Sequence, residues 1–61
     1  MPYVNVRLVG SLSEKQKADI AKQFTQTLQD VAGKPAEYVY VVFDEVEREN
    51  WAMAGKLFSE R

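Results

Sequence analysis

The 61-residue sequence contains no cysteine and no histidine. Without cysteine there is no disulfide and no thiolate metal site, and without histidine both the commonest metal ligand and the side-chain base that titrates nearest neutrality are missing. No nucleophile–base–carboxylate set can be assembled, and no glycine-rich loop follows a strand to cradle phosphate. No apolar run approaches the roughly 20 residues that span a bilayer, and the N-terminus lacks the basic-then-apolar order of a secretory signal. These features point away from a membrane partner and toward the cytoplasm. An excess of one charge is also lacking, since eight basic and nine acidic residues leave a net charge of -1. The basic residues (Arg7, Lys15, Lys17, Lys22, Lys34, Arg48, Lys56, Arg61) are scattered, which argues against nucleic acid as a partner.

What is present describes a folded chain. An apolar fraction of 46% beside a charged fraction of 28% lies well outside the composition of disorder. The length allows one domain, residues 1–61, and a chain this short buries only about 60% of its unfolded surface, so its core is marginal on its own. With no disulfide and no metal site, self-association is the remaining staple.

From Tyr3 to Val9 apolar and polar positions alternate, with Val4, Val6 and Leu8 on one side and Tyr3, Asn5, Arg7 and Val9 on the other, the period of a strand. Ser13 followed three residues later by Gln16 has the form of a capping box, and the spacing predicts a helix from about Glu14 to Val31. Its apolar stripe is Ile20, Phe24, Leu28 and Val31, with Ala21 and Thr27 beside it. Gly33 supplies a left-handed stop and Pro35 prevents continuation. Tyr38 to Phe43 is apolar on both parities, as in a strand covered on both faces. Strand, long helix and strand make a βαβ unit with parallel strands, an α/β (α+β) fold. One helix covers one sheet face, so the other needs a protein partner. The polar run Asp44 to Asn50 reads as a loop, and Trp51 to Gly55 as part of a short C-terminal hairpin that packs on a neighbouring subunit.

Acid–base chemistry has few places to sit. Asp44, Glu45, Glu47 and Glu49 read as a solvated run, not a metal or acid–base cluster. Met1-Pro2 is different, because removal of Met1 in front of a small residue leaves Pro2 with a free secondary amine. An α-amino group titrates at about 7.7–8.0, and an apolar pocket disfavours its charged form, which suits abstraction of a proton beside a carbonyl.

Met-Pro leading an alternating strand, the Ser-Glu-Lys-Gln-Lys helix start at residues 13–17, the Gly-Lys-Pro stop at 33–35, and Asp-Glu-Val-Glu-Arg-Glu-Asn-Trp-Ala-Met-Ala-Gly at 44–55 together resemble the 4-oxalocrotonate tautomerase family over essentially the whole chain. The resemblance implies a βαβ subunit with a C-terminal hairpin that pairs into a dimer with a continuous sheet, usually assembled further into a hexamer. It also implies that Pro2, exposed by loss of Met1, is the catalytic base of a cofactor-free keto–enol tautomerase with no metal. The substrate is then a small 2-hydroxydienoate or an enolised 2-keto acid, phenylenolpyruvate being an aromatic example.

Two arginines grip a dicarboxylate in the best-known branch of that family, and the matching positions here are Leu12 and Tyr40. Neither side chain replaces a guanidinium fork. Tyr40 retains one phenolic donor for a carbonyl or enolate oxygen. Trp51 matches the aromatic that walls the proline pocket, and Met53 stands where a dehalogenase-like branch has a water-activating glutamate. Arg7 and Arg48 are the cations considered for a substrate carboxylate, with Arg48 better placed by its loop. The site read from sequence is therefore Pro2 as base with Tyr40, Trp51, Arg48 and Leu12 as substrate contacts. The competing reading is a non-catalytic oligomer that keeps the fold to bind ligands or partners.

Overall fold

In the computed structural model, which describes residues 1–61, strand β1 (Tyr3–Val9) leads into helix α1 (Glu14–Ala32), a 3-10 turn (Ala36–Tyr38) and strand β2 (Tyr40–Val46). A second 3-10 turn (Arg48–Asn50), strands β3 (Ala52–Met53) and β4 (Lys56–Leu57), and a last 3-10 turn (Phe58–Glu60) complete the chain. β1 and β2 pair in parallel from Tyr3↔Tyr40 to Val9↔Val46. Only a long crossover joins parallel neighbours, and α1 is that crossover.

The helix ends are set locally. Ser13 Oγ accepts from the Gln16 backbone N–H at 3.1 Å while the Gln16 side chain accepts from the Ser13 N–H at 2.9 Å, so two orphan donors are satisfied reciprocally. At the other end Gly33 adopts φ 66°, and the N–H groups of Gly33 and Lys34 bond the carbonyls of Gln29 and Leu28. That is a Schellman stop, available to glycine without the steric cost other residues meet there.

α1 lies chiefly against β2. Ile20, Ala21, Thr25 and Leu28 are half-buried on its inner face, opposite Val4, Val6, Leu8, Val41 and Phe43. The apolar stripe predicted from spacing runs past the sheet: Phe24 is partly covered, whereas Val31 is 82% exposed. A 19-residue helix is about 28 Å long, against about 23 Å for a seven-residue strand, so the last turn overhangs.

The second strand begins two residues later than its sequence pattern predicts and continues further. Pro35 opens a 3-10 turn in which Tyr38 N–H bonds Pro35 O and Val39 N–H bonds Ala36 O, which takes Tyr38 out of the strand. Asp44 and Glu45, read from sequence as loop, remain in β2 because each finds partners on its own face. On the uncovered face Asp44 Oδ2 accepts from Asn5 Nδ2 at 2.8 Å and Arg7 Nη2 at 3.2 Å. On the helix side Glu45 accepts from Lys17 Nζ at 2.9 Å and the Leu12 backbone N–H at 2.7 Å. Their carboxylates point to opposite faces and form no cluster.

These contacts hold both carboxyls below their ordinary values, Glu45 chiefly through Lys17 and then Leu12, and Asp44 chiefly through Asn5 and then Arg7. A depressed folded-state pKa stabilises the fold above the ordinary carboxylate value, and that contribution disappears as pH falls through the folded value. Glu45→Gln should therefore melt below wild type at pH 7. The gap should begin to narrow near the ordinary Glu value of 4.5 and close as pH falls through the lower folded-state value, where the wild-type carboxyl is as uncharged as the amide, as measured by melting temperature against pH.

Beyond Val46 the tail folds mainly on itself. Trp51 and Phe58 stack edge to face with ring centroids 6.4 Å apart, Arg48 Nη2 donates to Phe58 O at 2.7 Å, and the Arg61 guanidinium sits 5.1 Å from the Phe58 ring centre. The β3–β4 hairpin turns through Ala54 and Gly55, both at positive φ (55° and 78°), a geometry that matches strand twist but strains alanine. Ala54→Gly should raise stability to thermal or urea denaturation by about 1 kcal/mol.

No residue of the single subunit is fully buried. Its radius of gyration, 14.7 Å, exceeds the roughly 10.5 Å of a compact domain this long. The uncovered sheet face presents Tyr3, Tyr40 and Val42, exposed at 61%, 52% and 40%, around the Asn5–Asp44–Arg7 network.

Candidate active site

The parallel register brings the starts of β1 and β2 side by side, and Pro2 O accepts from the Tyr40 backbone N–H at 3.0 Å. Whatever immediately precedes β2 is therefore delivered to the N-terminus. An open cleft of about 560 Å³ lies there, lined by Met1, Pro2, Lys34, Pro35 and Tyr38. Its volume falls in the range of small-molecule sites. Met1 is 82% exposed, so its loss uncovers the Pro2 nitrogen at the cleft without removing core packing.

Of the residues read as site candidates, the single subunit places Pro2 and the Tyr40 backbone together, with the Tyr40 ring turned to the uncovered sheet face beside Tyr3. It does not bring Leu12, Arg48 or Trp51 to them. Leu12 follows β1 and Arg48 follows β2, at the ends of the strands opposite Pro2, about 20 Å away along the sheet. Arg48 is engaged with Phe58 O, and Trp51 is half-buried against Phe58 in the tail. Arg7 is paired with Asp44 on the uncovered face.

Lys34 and Tyr38 are cleft residues that the sequence reading passed over. The signal available was topological: in a parallel βαβ unit the loop entering the second strand lies beside the start of the first. Lys34 sits in that loop, between Gly33 and Pro35.

A βαβ unit with a proline at a small cleft and an unpartnered sheet face is what the resemblance to the tautomerases implies, and comparison with known proteins agrees. The model of the tautomerase enzyme family matches residues 2–61. A probable tautomerase, K2, of Dickeya dadantii (strain 3937) is 37% identical, over 100% of this chain and 92% of that protein. The 2-hydroxymuconate tautomerase of Bacillus subtilis (strain 168) is 28% identical, over 98% of this chain and 97% of its own. A crystal structure of a 4-oxalocrotonate tautomerase homologue superposes with a TM-score of 0.91 at 31% identity, covering 100% of this chain and 97% of that one. A heterohexameric 4-oxalocrotonate tautomerase from Chloroflexus aurantiacus J-10-fl shares the fold (TM-score 0.85, 22% identity, 98% and 97% covered). The chain belongs to the tautomerase family and is an isomerase. Among its structural relatives some assemble as oligomers. No helix is long and apolar enough to cross a membrane.

Proposed function

We propose that Pro2, freed by removal of Met1, is the general base of a cofactor-free keto–enol tautomerase acting in the cytoplasm on a small 2-hydroxydienoate or an enolised 2-keto acid. The observation that carries this reading is the position of Pro2 on the cleft at the head of the sheet. The amine takes the enol O–H proton, and the resulting ammonium returns a proton to the carbon of the double bond. The O–H bond breaks, a C–H bond forms and no electrons are exchanged. A neutral amine is required, and Pro35 and Tyr38 give the cleft apolar neighbours that favour that form.

A dienol substrate is supported by the chain's likeness to a 2-hydroxymuconate tautomerase. Homo-oligomerisation, from dimer to hexamer, is part of the same proposal. The cleft is open on one subunit, and Leu12, Arg48 and Trp51 lie too far along the sheet to reach the Pro2 of their own chain. A neighbouring subunit supplies them, Trp51 as an aromatic wall and Arg48 as a polar contact, while Tyr40 offers its phenol across the sheet interface. The test is the ketonisation rate of phenylenolpyruvate by protein whose intact mass shows loss of Met1. A rate well above solution is the expected result, and no rate from such protein on this enol or on 2-hydroxymuconate would overturn the reading.

A further inference from the structure

We infer that Arg7 and Asp44 are a self-recognition pair: on assembly the Arg7 guanidinium of one subunit bonds the Asp44 carboxylate of a second copy of this chain as well as its own. The inference rests on the proposed oligomer and adds what makes its partner another copy of the same chain.

Both residues lie on the uncovered face of the sheet, side by side in the parallel register. Among the outward-facing residues of β1 and β2 they are the one cation and the one anion. The pair is made with bonding capacity to spare. Only Nη2 of the guanidinium is used, at 3.2 Å from Asp44 Oδ2, so its other N–H donors are unspent. Asp44 Oδ2 also accepts from Asn5 Nδ2 at 2.8 Å, whereas Oδ1 accepts from no protein group. Asn5 gives its second amide hydrogen to Tyr3 Oη at 3.2 Å, which fixes the side chain that steers Asp44. With side chains 62% and 43% exposed, an ion pair of this kind adds little to the stability of the subunit alone.

Association changes its value. The single subunit exposes 4776 Å², against roughly 4,000 Å² for a folded monomer of 7.0 kDa, and the surplus is of the size that one partner gives a standard interface. Tyr3, Tyr40 and Val42, all exposed, place part of that surplus on this face. Covering the face takes water from both charges, and a charge deprived of water must be paired by whatever covers it. A second copy does this by symmetry. Where its Asp44 meets the unspent donors of Arg7, its own Arg7 is offered in turn to an Asp44 Oδ1, so in a closed assembly each subunit gives one such bond and accepts one. A related subunit without an acid at this position would leave Arg7 covered and unpaired. The pair therefore rejects a foreign subunit as well as attracting its own copy.

The test mixes two variants that cannot recognise themselves. Arg7→Asp leaves two anions on the face, and Asp44→Arg leaves two cations. Each alone should need about 100-fold more protein than wild type to assemble, read by sedimentation velocity and native mass spectrometry, because like charges then meet at the contact. Unfolded together and refolded as an equimolar mixture, the two should form hetero-oligomers holding both chains at concentrations near those of wild type. The double variant Arg7→Asp/Asp44→Arg restores the pair in reverse order and should assemble by itself, which separates loss of recognition from loss of folding. Single variants that assemble separately as readily as wild type would overturn the self-recognition pair and leave the oligomer standing. So would a mixture that stays unassembled where wild type assembles, whatever the double variant does, since the pair would then act only within its own subunit. Wild type that sediments as a monomer throughout would instead overturn the oligomer itself, and the pair with it.

Discussion

Protein carrying an uncleavable residue ahead of Pro2 should lose about 10²- to 10⁴-fold in kcat/KM for phenylenolpyruvate, the usual contribution of a positioned acid–base group. The reason is chemical and not steric: acylation converts the secondary amine into an amide, whose nitrogen has no available basic lone pair. Pro2→Ala, processed to a free N-terminus, is the necessary companion. It keeps an α-amine with a reference pKa of about 7.7–8.0 but loses the ring that fixes the nitrogen's direction, so its rate should fall between wild type and the extended form. The pH profile separates the two effects. Wild-type kcat/KM should rise with pH as the amine loses its proton, and the extended form should show no such limb. An extended protein as active as wild type would exclude Pro2 as the base.

What was legible in the sequence was what is decided locally. Ser13 and Gln16 announce the start of α1, and Gly33 with Pro35 its end, because capping bonds and positive φ involve neighbours in the chain. The strand parity of β1 is equally local. Misread features depend on distant partners. Asp44 and Glu45 look like loop residues by composition, and only Arg7 and Asn5 on the adjacent strand and Lys17 on the helix make them tolerable in β2. Tyr38 looks like strand until Pro35 closes a turn around it. The site divides in the same way. Pro2 stands out as a candidate in the sequence because an N-terminal amine needs no fold to exist. Lys34 becomes a site residue only once the parallel register places the loop before β2 at the head of β1. Leu12 and Trp51, assigned by resemblance, and Arg48, chosen for its place in the loop, do not meet Pro2 within one chain.

The proposed oligomer makes Val42→Glu the most damaging single change expected away from the cleft. One subunit exposes 4776 Å², whereas a folded monomer of 7.0 kDa exposes roughly 4,000 Å². The excess, on the order of 700 Å², is close to the roughly 800 Å² that each partner contributes to a standard interface. Val42 lies near the middle of the uncovered face, across from Asn5 and between Tyr40 and Asp44. A carboxylate there would be desolvated on association and set beside Asp44, whose donors Asn5 and Arg7 are already engaged. An unpaired charge buried in this way costs several kcal/mol, and symmetry repeats the cost in every subunit. Since no residue is fully buried in the lone chain, losing the interface removes most of what holds it folded. Sedimentation equilibrium should show wild type as an oligomer with a concentration-dependent melting temperature, and Val42→Glu as a monomer with little helical signal. Val42→Ala, which removes methyl groups without adding charge, should stay assembled. A Val42→Glu protein that sediments as a monomer yet keeps the wild-type circular dichroism and melting temperature would mean that the βαβ unit folds alone with this face in water.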